Sequence, residues 1–147
     1  MASFTDMFTQ LVRVEIELWN GLDAHLQATA GISLPQFQAL DSIRASAGSA
    51  RVQDISQRMA ITVGATSKVV DRLERDGLAL RAAHPTDRRS SIVSLTDMGA
   101  SALRAADDAA ERHLRNELGG VLSDDDAGRL LGDLLSLRAR ARVEVSK

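Results

Sequence analysis

Residues 61–81 read ITVGATSKVVDRLERDGLALR, and residues 84–99 read HPTDRRSSIVSLTDMG. Thr62 is a good N-cap, because its hydroxyl can accept an amide of a first helical turn. Helical spacing then puts Ala65, Thr66, Val69, Val70 and Leu73 on an inner face, with Gly64, Ser67, Lys68, Asp71 and Arg75 outside. Gly77 supplies the left-handed residue that ends such a helix. Beyond it the pattern becomes alternating: Leu78 and Leu80 interleave with Ala79 and Arg81, and Ile92, Val93 and Leu95 form a second β-favouring run. The HPTDRRSS between them is rich in turn-formers and charge, so a two-stranded hairpin with a basic tip is expected.

Working outward, Val52, Ile55 and Met59 suggest a short helix joined to the one after Thr62 by Ala60-Ile61-Thr62. Before it, Ser33 to Gln36 reads as a capping box with Pro35 in the first turn, and Phe37, Leu40 and Ile43 carry a helical stripe that stops before Gly48. At the start of the chain, Phe4, Met7, Phe8, Leu11, Val14, Leu18, Leu22 and Leu26 recur at steps of three and four, up to Gly31. Downstream, Thr96 caps a helix with Leu103, Ala106, Ala110, Leu114 and Leu118 on one side, stopped by Gly119-Gly120. Ser123 caps the last helix, whose stripe is Leu130, Leu131, Leu134, Leu135 and Leu137. Its first turn holds Asp124, Asp125 and Asp126, and its last turns hold Arg138, Arg140 and Arg142, so both ends complement the helix dipole.

The order is α-α-α-α-β-β-α-α, a mainly helical chain. Two helices joined by a tight turn and followed by a short hairpin describe a winged helix-turn-helix. The second helix of such a pair is the one that enters a DNA major groove. Small and hydrogen-bonding groups at its N-terminal end let it sit deep and reach base edges, while Arg72 and Arg75 suit phosphates or internal ion pairs. Arg88 and Arg89 sit on an element slender enough for the minor groove.

Composition narrows the remaining classes. The chain has 147 residues, room for one domain or one domain with an appended interface. Cysteine is absent, which excludes disulfides, thiolate zinc sites, a cysteine nucleophile and thiol-based redox sensing. Aromatic residues are only 3%, which argues against base stacking on exposed rings. No segment approaches the length of an apolar membrane span, and MASFTDMFTQ shows no signal-peptide pattern, so a cytoplasmic location and no membrane partner are expected. His25, His84 and His113 lack a metal-ligand spacing, so neither metal nor cofactor is expected. Nucleophile-elbow, P-loop and zinc-protease motifs are missing, and Asp124–Asp126 is better explained by capping than by acid–base chemistry, so an enzyme is not expected. The formal charge of −2 conceals a division: −4 over residues 1–43, +4 over 44–89 and −2 over 90–147. A basic middle between acidic ends suits a centre that meets a polyanion.

The two opening stretches resemble the signature of the MarR family of bacterial transcriptional regulators. The resemblance lies in Asp71-Arg72-Leu73, Gly77-Leu78, Asp87-Arg88-Arg89 and Leu95-Thr96-Asp97-Met98-Gly99, with LPQFQAL and VQDISQRM upstream. It implies a homodimer that binds double-stranded DNA at a pseudo-palindromic operator. Residues 1–32 and 100–147 then form a helical dimerisation region, and residues 33–99 the DNA-binding lobe. It further implies that Arg89 inserts into the minor groove, Asp87 orients it and Arg88 meets phosphate. The recognition-helix contacts carried over are Thr62, Gly64, Thr66, Ser67, Lys68 and Arg72. Thr66 conflicts with its inner-face spacing.

The terminal helices independently point to a dimer, since they carry more Leu and Phe than a lobe of this size can cover. A plain bundle within one chain is the alternative. Repression, relieved by a small aromatic or phenolic effector, is implied by the resemblance alone. Trp19, His25, Arg13 and Phe37 are candidates to line an effector cleft, each equally a core or surface residue, and none is assigned. The competing function is a winged-helix module that binds protein and not DNA; it would tolerate loss of Arg88 and Arg89.

Overall fold

A computed structural model of the chain describes Met1 and residues 3–145; Ala2 and residues 146–147, at the two ends of the expected dimerisation region, lie outside the described residues. The elements are α1 (Phe4–Ala30), α2 (Leu34–Ala45), β1 (Ser49–Arg51), α3 (Val52–Met59), α4 (Val63–Arg75), β2 (Ala79–Ala83), β3 (Ser91–Leu95), α5 (Asp97–Leu118) and α6 (Asp124–Val145). This is the mainly helical winged helix-turn-helix order expected from sequence, with one strand added. β1 is three residues long, too short to carry a period, and exists through its pairing with β3: Ser49 opposite Ser94, Ala50 opposite Val93, Arg51 opposite Ile92. The resulting antiparallel sheet has the order β1-β3-β2.

The chain separates into two compact units, Met1–Glu111 and Arg112–Lys147. In the first, the ends of α1 are set by Ser3, whose Oγ accepts the Thr5 and Asp6 amides, and by Gly31 at φ 69°. Three residues later α2 begins on the Ser33–Gln36 capping box. Asp23 of α1 accepts the Leu34 amide at 2.7 Å, which fixes where α2 starts relative to α1. Leu26, Leu40, Ile43, Ile55, Val70, Leu73, Val93 and Leu103 are fully buried and form the core under the lobe. A second tie runs from Arg44 of α2 to Asp107 of α5 and to Asp41; the Asp107 hydrogen bond is the larger cause of a guanidinium proton held more tightly than usual.

The apolar stripe of α1 divides in two. Leu22 and Leu26 are buried, whereas Phe4, Met7, Phe8, Leu11 and Val14 are exposed along with Val12 and Ile16. In the second unit, Ser123 and Asp126 cap one another across the first turn of α6, and the Ser123 hydroxyl is the main cause of an Asp126 carboxyl held below its ordinary range. Leu130, Leu131, Leu135 and Leu137 of α6 are exposed.

Candidate nucleic-acid interface

The turn between α3 and α4 is closed from inside. Buried Ser56 donates its hydroxyl to the Ile61 carbonyl at 2.6 Å, and the Ile61 amide returns to the Ser56 carbonyl at 3.3 Å. Ala60 adopts the left-handed conformation at φ 55°, turning the chain off α3. Thr62 then caps α4 by accepting the Ala65 amide at 3.1 Å. The tight turn expected between these two helices is therefore present, and its geometry aims the first turn of α4 outward.

The outward face consists of Val63, Gly64, Ala65, Lys68, Asp71, Arg72 and Arg75, with Ser67 half-buried. Two assignments need correcting. Thr66 is fully buried, and its hydroxyl donates to the Thr62 carbonyl at 2.8 Å, so its side chain is a core group and not a DNA contact. Ala65, expected on the inner face, is exposed instead. The stripe that packs is Thr66, Val70 and Leu73, all three on the expected inner face, with Val69 half-buried beside it. Gly64 is open on the outside: a Cβ built there meets no atom within 4 Å, so nothing inside the chain requires glycine at that position.

The wing is β2, β3 and the loop between them. His84 folds over that loop, its Nδ1 accepting the Thr86 and Asp87 amides at 3.2 and 3.1 Å, while Nε2 lies 2.7 Å from the Arg51 guanidinium. The Ser90 amide closes on the Asp87 carbonyl at 3.1 Å. Asp87 accepts the main-chain amide of Arg89 at 3.0 Å, so it shapes the tip through the backbone and leaves the Arg89 guanidinium free. Sequence reasoning missed His84 and Arg51 here. The His-Pro pair marks the turn in the sequence, but nothing local joins it to Arg51, 33 residues away.

The charges divide unevenly over the lobe. Asp54, Asp76 and Asp87 accept hydrogen bonds, and Asp71 pairs with Arg81 at 2.9 Å. Among the cations, Arg44, Arg51, Arg75 and Arg81 are engaged. The side chains of Arg58, Lys68, Arg72, Arg88 and Arg89 are exposed and make no hydrogen bond or ion pair among the described residues. Residues 44–89 carry nine basic and five acidic side chains, and this excess of four positive charges gives the surface a positive field.

Of the effector candidates, Trp19 lines a groove. A shallow groove on α1 is lined by Glu15, Ile16, Trp19 and Asn20; Arg13, His25 and Phe37 are not among its walls. Among the described residues no cluster of His, Asp or Glu could hold a metal, and no helix is long and apolar enough to cross a membrane.

A capped helix presented by a tight turn, beside a hairpin with a cationic tip, defines a winged helix-turn-helix DNA-binding protein. The MarR family model matches residues 30–90. The HTH-type transcriptional regulator YfiV of Bacillus subtilis is 30% identical over 116 residues, covering 79% of this chain and 71% of that one. The multiple antibiotic resistance protein MarR of Escherichia coli is 30% identical over 99 residues, covering 67% and 68%. Among solved structures, Sco3205, a MarR family regulator from Streptomyces coelicolor in complex with DNA, superposes with a TM-score of 0.82 at 24% identity over 93% of this chain and 86% of that one. The chain belongs to the MarR family: it is a DNA-binding transcriptional regulator, not an enzyme.

Proposed function

We propose that the chain is a cytoplasmic repressor that acts as a homodimer on a pseudo-palindromic operator. The observation that carries this is the set of exposed cations, Lys68, Arg72, Arg88 and Arg89, distributed over α4 and the wing tip, with the side chains of Asp71 and Asp87 engaged within the chain. In this reading Thr62, Gly64, Ser67 and Lys68 meet the major groove, joined by Ala65, whose exposed methyl suits a thymine methyl. Arg72 and Arg88 meet phosphate, Arg89 enters the minor groove, and Asp87 sets its approach through the tip backbone. Residues 33–99 are the reading lobe, and residues 1–32 and 100–147 the dimerisation region, since a second copy is the simplest cover for the apolar faces of α1 and α6. Filling both grooves of a promoter excludes other proteins, which is repression. Release by a small aromatic or phenolic effector completes the proposal.

Selection of duplexes from a random-sequence pool tests it. The recovered sites should be inverted repeats with half-sites about one helical turn apart. Phenol and benzoate added to the bound complex test for release. Recovery of no preferred duplex, or equal affinity for random DNA at physiological salt, would favour the protein-binding module.

A further inference from the structure

We propose that Arg81 is a positioning residue for DNA recognition: it masks the Asp71 carboxylate beside the groove-facing surface of α4 and ties that helix to the wing. The inference rests on the reading that α4 and the wing meet DNA. Asp71 lies one turn after Ser67, and its side chain is 61% exposed. An unmasked carboxylate there would face the phosphates that Arg72 is placed to meet. Arg81 stands in the middle of β2, opposite Val93 of β3, so the sheet fixes its position. Its guanidinium reaches across to Asp71 at 2.9 Å and makes a longer contact of 3.4 Å with the Ser67 carbonyl. The side chain is 28% exposed, and its Nε is buried with no hydrogen-bond partner. Arg81 thus accepts an incompletely satisfied group in order to keep both contacts on α4. Both contacts are made by one nitrogen, Nη2, so removing the guanidinium releases Asp71 and the Ser67 carbonyl together. The positive charge of Arg81 is therefore spent inside the lobe, unlike the charge of Arg72.

A double-mutant cycle on the duplex selected by the wild-type protein, with a scrambled duplex beside it and several salt concentrations, tests the proposal. Arg81→Met should weaken binding to the selected duplex about two- to fifteen-fold, the range for a charge about 10 Å from phosphate. It should also flatten the dependence of log affinity on log salt by up to about one. In an Asp71→Asn background the same Arg81→Met change should cost little affinity, because no carboxylate remains to mask. An equal cost in both backgrounds overturns the proposal, since Arg81 would then act by its own charge and not through Asp71. Should Arg81→Met not fold, Arg81→Gln gives the same comparison, removing the charge while keeping a donor for the Ser67 carbonyl. Arg89→Ala serves as the control for the underlying reading. Weakened binding in Arg89→Ala with wild-type binding in Arg81→Met overturns this inference alone, whereas a wild-type protein that selects no duplex overturns the DNA reading itself.

Discussion

Arg88 and Arg89 are chain neighbours with different attachments. The Arg89 amide is anchored by Asp87, so its guanidinium leaves a backbone of fixed direction. A narrow minor groove over A·T steps offers such a cation a deep negative potential. Arg89→Ala is expected to weaken binding most on operators with A·T steps under the wing. Arg88→Ala should weaken all sequences about alike and lower the salt slope by about one. Titrations against flank-swapped duplexes at several salt concentrations separate the two; equal, sequence-blind losses would reject the minor-groove role. Asp87→Ala should resemble a mild Arg89→Ala, because it loosens the tip without removing the cation. Thr66 belongs to a different category. Thr66→Ala should lower stability by about 1–3 kcal/mol through an emptied core position and leave operator discrimination unchanged. Thermal melts and selection on the same variant check both halves. Its burial was half legible in the sequence: spacing placed Thr66 inward, and only the resemblance argued for contact. Ala65 could not be assigned by hydrophobicity, since a methyl group is small enough for either face.

At the scale of elements, the corner between α4 and α5 explains why the Leu-Thr-x-x-Gly run is there. The end of α4 closes with the Leu78 amide on the Leu73 carbonyl at 2.8 Å and the Gly77 amide on the Glu74 carbonyl at 3.1 Å, with Gly77 at φ 73°. Thr96 then donates its hydroxyl to the Gly77 carbonyl at 2.7 Å and accepts the Gly99 amide at 3.0 Å, capping α5 while gripping the end of α4. The grip leaves no space at Gly99, where a Cβ would lie 1.8 Å from the Leu78 carbonyl oxygen. Gly99→Ala must shift backbone, and a loss of about 1–3 kcal/mol or more is expected. A melting temperature equal to wild type would show that the corner is looser than described. At the far end of the chain, Asp126 gives a pH signature. Its carboxyl is held below the ordinary range by Ser123, so the cap is intact at neutral pH and is lost as pH falls through that lowered value. Protection of the first-turn amides of α6, taken relative to their intrinsic exchange rates at each pH, should fall with acid, and Asp126→Asn should remove that pH dependence. The helices and wing were legible because their periods and caps are local. β1 was not, because three residues become a strand only when β3 lies beside them. The Arg81–Asp71 and Arg51–His84 contacts were hidden for the same reason, being made across elements.

On the scale of the whole molecule, the useful asymmetry is between a lobe that satisfies its own core and terminal helices that do not. Leu40, Ile43, Ile55 and Leu73 are sealed inside one chain, whereas Phe8 at 63% and Leu11 at 44% exposure are not. Exposed apolar residues at helical spacing form a continuous stripe, and a stripe is covered most simply by an identical one related by a two-fold axis. In the proposed homodimer each lobe would present one recognition helix and one wing, enough for a single half-site. Joining two lobes makes the second half-site an intramolecular partner, which raises affinity for a full site by about 10²–10⁴-fold without any new contact. Phe8→Asp combined with Leu11→Asp adds two charges to that stripe and leaves the reading lobe untouched. The variant is expected to sediment as a monomer, to lose about 10²–10⁴-fold in affinity for the inverted repeat, and to bind an isolated half-site as the wild type does. An intact dimer carrying both substitutions would move the interface away from α1. A monomer that still bound the full repeat with wild-type affinity would show that the two half-sites are read independently, and the inverted symmetry expected of the operator would then lose its physical cause.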